Sequence, residues 1–107
     1  MTHKQREEII TSVLQEAEKL REVKGNDYSG TEDCNSNFKR LGKKLNLTPE
    51  TILWVYLTKH LDSIETFIRE GKVASEPIDS RIIDSINYLL ILQSLINESR
   101  QKTNNSN

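Results

Sequence analysis

The chain has 107 residues, 35% of them apolar and 29% charged, with a net charge of −1. That length suits one domain with a single modest core. The near-neutral balance excludes the overall basic field that holds long nucleic acids, and a lone cysteine, Cys34, excludes an internal disulfide.

Cys/His spacing of the kind that binds a metal is absent. The segment Met1-Thr2-His3-Lys4-Gln5-Arg6-Glu7-Glu8 lacks the apolar run of a signal peptide. No apolar stretch approaches the roughly 18 residues of a membrane span. The expected setting is therefore a reducing cytoplasm, with no membrane and no long nucleic acid as partner. A chain this polar often completes its burial in an oligomer, although composition alone does not establish one.

In chain order, Ile9, Ile10, Val13, Leu14, Ala17, Leu20 and Val23 recur at spacings of three and four. This predicts an amphipathic helix over residues 4–23, stopped by Gly25. Residues 25–36 are rich in Gly, Asn, Asp and Ser and read as a loop. A short helix follows over 35–45, with Phe38, Leu41 and Leu45 on one face. Thr48-Pro49-Glu50 is a helix start, with Thr as cap, Pro at the first helical position and an acid in the first turn. The apolar pattern then runs from Ile52 to Ile68, and Gly71 is a C-terminal stop. Residues 71–76 form a turn, and Pro77 opens a last helix that is apolar almost all round in its middle. That helix is expected to lie centrally or at a subunit contact. Residues 103–107 bury nothing and read as a disordered tail.

No repeat and no period-2 strand pattern competes with this reading. The expected fold is all-α: one compact helical domain over residues 1–102, built from three main helices and one short one, and oligomeric.

Lys24-Gly25-Asn26-Asp27-Tyr28-Ser29-Gly30 and Asn37-Phe38 place an acid, a phenol and a carboxamide among glycines. No linker needs that combination, and it is the usual equipment for reading a small polar ligand. Asp27 can cap the loop while Tyr28 anchors it. The pair can instead accept from a ribose or base edge and stack on a base. Phe38 reads as core with Leu41 and Leu45, and Asn37 as a polar contact. Lys39, Arg40, Lys43 and Lys44 form a basic cluster, either a solvated face or a rim that attracts phosphate.

Lys59 and His60 interrupt the apolar stripe of the third helix, close to Trp54. His60 reads as a satisfied boundary group or a ligand contact. Lys59, placed on a half-buried face, needs a partner such as a phosphate or Asp84. Arg81, Asp84, Asn87 and Tyr88 fall together on the last helix. They form either a polar network pinning two antiparallel helices or the same network holding a cation ready for phosphate.

Helical nucleotide pyrophosphatases bind Mg²⁺ through Glu-Glu-x-x-Glu followed by Glu-x-x-Asp. Here Glu7-Glu8 is followed by Thr11, so the first cluster fails. Asp62-Ser63-Ile64-Glu65 and Glu76-Pro77-Ile78-Asp79 are distant echoes. No phosphate loop, nucleophile elbow or Cys/His pair is present.

Together with Trp54-Val55-Tyr56-Leu57-Thr58-Lys59-His60-Leu61-Asp62-Ser63-Ile64 and the run from Ser75-Glu76-Pro77-Ile78 through Arg81, Asp84 and Asn87 to Tyr88-Leu89, these motifs resemble a group of small, mostly phage-borne helical proteins. The resemblance covers residues 20–96. Labels in that group include nucleotide-modification-associated proteins, and the group looks like the viral sponges that sequester cyclic nucleotide immune signals, of the anti-CBASS and anti-Thoeris kind. Such proteins are compact oligomers that bind the signal without cleaving it. The resemblance implies Asp27, Tyr28, Lys59, His60 and Arg81 at the pocket.

The expectation is thus a non-catalytic homo-oligomer with inter-subunit sites and no metal or other cofactor. It binds a cyclic dinucleotide or cyclic ADP-ribose type of signal through Asp27, Tyr28, Asn37, Trp54, Lys59, His60, Arg81, Asp84, Asn87 and Tyr88. The alternative is a Mg²⁺-dependent nucleotide pyrophosphohydrolase or a nucleotide-modification-associated protein.

Overall fold

The computed structural model describes residues 1–27, 33–72 and 77–105. These form four helices in chain order: α1 (His3–Asp27), α2 (Ser36–Leu45), α3 (Pro49–Glu70) and α4 (Ile78–Asn105), with no strand among the described residues. The fold is all-α, and no described helix is long and apolar enough to cross a membrane.

The start and stop signals of α3 act as the sequence predicts. Thr48 has an extended backbone, and its side chain accepts from the Thr51 N–H at 3.1 Å. This satisfies one of the donors that a helix start leaves without a partner. At the other end Gly71 takes φ +79° and donates its N–H to the Phe67 carbonyl at 2.7 Å, a left-handed stop that favours glycine. Asn46 closes α2 in the same left-handed region, at φ 59°, which Asn tolerates better than most side chains.

The corner between these helices folds back onto Gly42, inside α2. The Leu47 N–H donates to the Gly42 carbonyl at 2.8 Å. A β-carbon on Gly42 would stand 2.6 Å from the Leu47 carbonyl oxygen. Two backbones meet here, so glycine is required for close approach rather than for its dihedral angles.

α1 does not stop at Gly25 but continues to Asp27. A helical glycine costs about 1 kcal/mol relative to alanine, which weakens a helix without ending it. The last helix likewise runs through residues 103–105, beyond the boundary expected at 102.

α3 and α4 form an antiparallel hairpin, α2 packs on α3, and α1 packs on α4 alone. The last helix therefore lies between α1 and α3, as its nearly all-round apolar character predicts. Leu53 and Leu57 are fully buried, joined by Ile52, Ala17 and Leu95. The core sits along the α3–α4 seam.

Replacing Gly42 with Ala is expected to destabilise the fold by about 1–3 kcal/mol, the usual cost of overpacking. The neighbouring atom is backbone and cannot rotate away. A urea midpoint unchanged in Gly42→Ala would contradict this account of the α2–α3 corner.

Candidate functional site

The antiparallel hairpin sets Tyr56 of α3 against Tyr88 of α4, with ring centroids 6.3 Å apart and planes within 16°. Phe38, carried by α2, meets Tyr56 edge-on at 6.2 Å. His60 lies one turn further along α3, 5.4 Å from Tyr88. Beside these rings is a cavity of about 690 Å³, within the range of small-molecule sites. Its apolar wall includes Phe38, Leu41, Tyr56, Tyr88, Leu90 and Ile91. Its cations are Arg21 and Lys24 from α1 and Arg40 from α2; Asp33, Asp84, Asn35, Asn37 and Asn87 add polar groups. Cys34, exposed and free, also lines it.

Arg21 is positioned by Asn87. The Asn87 carboxamide is buried, its oxygen accepting from Arg21 Nη1 at 2.7 Å and its nitrogen donating to the Ala17 carbonyl at 3.1 Å. One α4 side chain thus holds two successive turns of α1. A guanidinium has five N–H donors, so the bond to Asn87 fixes its aim while leaving capacity for an anion.

A second polar device holds the segment leading into α2. Lys39 bridges the Asp33 and Glu98 carboxylates. Asn35 Nδ2 donates to Ser94 Oγ at 3.2 Å and to Glu98 Oε1 at 3.4 Å. The hydrogen bond from Lys39 is the main cause that holds both carboxyls below their ordinary pKa, helped at Asp33 by the Asn35 N–H. The bonds to Asp33 and then Glu98 raise the Lys39 ammonium in turn. Lys39 therefore does not belong to a solvated basic face.

The third device joins α3 to α4. Arg81 Nη1 lies 3.2 Å from His60 Nδ1, and Asp84 Oδ2 is 3.8 Å from the same nitrogen. Arg81 is always a donor, so the shorter contact requires a lone pair on Nδ1 and the imidazole proton on Nε2. We take this tautomer over a His60–Asp84 ion pair, because 3.8 Å exceeds hydrogen-bond range.

The residues proposed from sequence distribute as follows. Asn37, Asp84, Asn87 and Tyr88 line the cavity. His60 and Arg81 are partly buried behind Tyr88 and are not part of the lining. Lys59 is exposed, not half-buried as expected, and its ammonium lies 5.9 Å from the Tyr56 ring centroid. The carboxylate of Asp84 lies instead 3.8 Å from His60 Nδ1, in the seam between α3 and α4. Trp54 is 54% exposed and belongs to neither core nor cavity. Asp27 is the last residue of α1, and its side chain, Tyr28 and Glu76 lie outside what is described.

Sequence reasoning missed Arg21, Lys24, Asn35 and Tyr56 as lining groups. For Arg21 the available signal was its place four residues after Ala17, on the packed face of α1. Among the described residues no three His, Cys, Asp or Glu side chains are grouped to hold a metal ion. No protein-family model, curated protein or solved structure matches the chain.

Asn87→Ala removes both bonds to α1 and is expected to cost about 1–3 kcal/mol, read as a lower denaturant midpoint. A midpoint equal to wild type would show that α1 is held by other contacts. The Lys39 bridge contributes stability that is present at neutral pH and lost as pH falls through the depressed carboxyl values, below about pH 4. On the alkaline side it is lost as pH rises through the elevated Lys39 value. Between pH 7 and about 3, wild type should therefore lose more stability than Lys39→Met. Parallel acid limbs for the two proteins would contradict the bridge.

Proposed function

We propose that this chain binds and sequesters a small cyclic nucleotide signal of bacterial anti-phage defence, without hydrolysing it, in the cytoplasm of an infected host. One observation carries the reading. A cavity of about 690 Å³ combines three aromatic rings, Phe38, Tyr56 and Tyr88, with the three cations Arg21, Lys24 and Arg40. Planar bases bury well on aromatic faces, and stacking is worth roughly 1–3 kcal/mol per base. Phosphates select the guanidinium and ammonium groups, with arginine offering bidentate contact. A cyclic dinucleotide carries both features twice over.

Sequestration needs nanomolar affinity, about −12 kcal/mol. An open cavity in a single small chain falls short of that, so the reading includes a second subunit that closes the site. The chain then works as a homo-oligomer. Asn87 and the Lys39 bridge act as supports that keep the cations and the Asp33–Phe38 wall in place before the ligand arrives, which lowers the ordering cost of binding.

The test is a calorimetric titration with 3′,3′-cyclic dinucleotides and cyclic ADP-ribose isomers, followed by recovery of the ligand from denatured protein. The expected result is tight binding that EDTA leaves unchanged, with the ligand returned intact. Tyr88→Leu and Arg40→Glu should each weaken binding by about tenfold or more, or ~1.4 kcal/mol, with helix content preserved. Conversion of the ligand in a reaction stopped by EDTA would instead make the protein a metal-dependent hydrolase. No heat with any of these ligands would overturn the reading.

A further inference from the structure

The polar groups around the cavity divide by what already engages them. Asp33 accepts from Lys39 and from the Asn35 N–H. Asn35 donates to Ser94 and Glu98, and Asn87 holds Arg21 and the Ala17 carbonyl. Asp84 differs. The contact that the structure gives its carboxylate is His60 Nδ1 at 3.8 Å, beyond hydrogen-bond range. The same nitrogen is the acceptor for Arg81 Nη1, so it offers Asp84 no proton. The Asp84 side chain is only 18% exposed, and a carboxylate so far removed from water needs donors in return. It lines the cavity, and the cavity is where those donors would come from.

We propose that Asp84 reads the Watson–Crick edge of a guanine, accepting from its N1–H and its N2 amine. The proposal rests on the nucleotide reading above and narrows it to guanine-containing ligands. Asp84 and Tyr88 are one turn apart on α4 and both line the cavity, so they stand side by side. They offer a face on which a base stacks and, next to it, acceptors for the edge of that base. A carboxylate only accepts, and its two oxygens suit a parallel pair of N–H groups. Among the common bases guanine alone carries two adjacent donors on that edge.

The other bases fail for a stated reason. Adenine and cytosine set a ring-nitrogen acceptor beside their amine, and uracil flanks one N–H with two carbonyls. Each would turn a lone pair toward the carboxylate and leave it short of donors, the penalty by which hydrogen-bonding sites reject an analogue. A carboxamide, with one acceptor and one donor, would suit adenine instead. A carboxylate is also an unfavourable lining for an anion, since it repels the phosphates that Arg21, Lys24 and Arg40 attract. Two hydrogen bonds from guanine offset that repulsion. The competing role for Asp84 is structural, as the partner of His60 in the α3–α4 seam. Its distance from Nδ1, and the bond from Arg81 to that nitrogen, weigh against it.

The experiment is a calorimetric titration of the full chain with 3′,3′-cyclic di-GMP, di-IMP and di-AMP, and with 5′-GMP and 5′-AMP. Hypoxanthine keeps the N1–H of guanine and lacks only the N2 amine. Guanine ligands are expected to bind tightest, hypoxanthine next, and adenine about tenfold or more weaker than guanine. This series uses wild-type protein, so it stands even if a variant misfolds. Asp84→Asn keeps the side-chain shape and should weaken guanine ligands by about tenfold while sparing adenine ones, with helix content unchanged by circular dichroism. Equal affinities for guanine and adenine, or an undiminished guanine preference in Asp84→Asn, would overturn the proposal and leave nucleotide binding in place. Guanine-selective binding of 5′-GMP without binding of the cyclic ligands would support the role of Asp84 and overturn sequestration of a cyclic signal. Binding of none of these ligands would overturn both.

Discussion

Scarcity of buried apolar side chains is the constraint from which the rest of this structure follows. Only Ala17, Ile52, Leu53, Leu57 and Leu95 form the buried hydrophobic core among the described residues, too few to specify how four helices sit together. Hydrophobic burial is non-directional, so with so little of it the register must come from directional bonds. Three polar devices supply it, and each ends on α4. Asn87 fixes α1, the His60–Arg81–Asp84 group fixes α3, and the Lys39–Glu98 bridge fixes α2. α2 has its helix packing on α3, so the Lys39 bridge reaches α4 by side chains alone. That bridge closes the ring of contacts around the cavity.

These devices differ in energetic character. The Asn87 bonds are neutral or singly charged and buried, so their loss leaves groups without partners. The Lys39 bridge is partly exposed, so solvent screens it and it contributes modestly; its value lies in holding Asp33 and Asn35 at the cavity edge. The His60–Arg81–Asp84 group is partly buried, and there the cost of desolvating charge offsets much of the attraction. A hydrophobic seam at those positions would be at least as stable. The group brings His60 against the Tyr88 ring and sets Asp84 in the cavity lining beside it.

Legibility in the sequence follows the same division. Local chemistry was readable: Thr48-Pro49 and Gly71 delimit α3 because caps and left-handed stops depend on a few adjacent residues. The central place of α4 was readable from its nearly continuous apolar surface. Gly25 misled because a glycine weakens a helix without ending it. Of the residues singled out in the sequence, Asn37, Asp84, Asn87 and Tyr88 line the cavity; the last three were legible as polar groups within the apolar pattern of α4, and Asn37 as a carboxamide beside the Gly-rich loop. Arg21 left only a weak signal, four residues after Ala17, and Lys24 none, since α1 is rich in charge and the docking of α1 on α4 decides which of its cations face the cavity. Lys59 and Trp54 lie exposed and outside the cavity lining for the converse reason. Helical spacing gives a direction around the axis, and whether anything stands in that direction depends on the other helices.

One helix supplies two of the three cations of the cavity. The second half of α1 contributes Arg21 and Lys24, while the residues of its first half, 3–12, are all exposed. The two halves share a rigid backbone, so fixing one restricts the other. A single buried side chain, Asn87, makes the hydrogen bonds to α1 that lie between them. Any contact that steadies α1 therefore also steadies Arg21 and Lys24 at the cavity, and by the reciprocity of linked equilibria an anion held between those two cations would steady α1 in return.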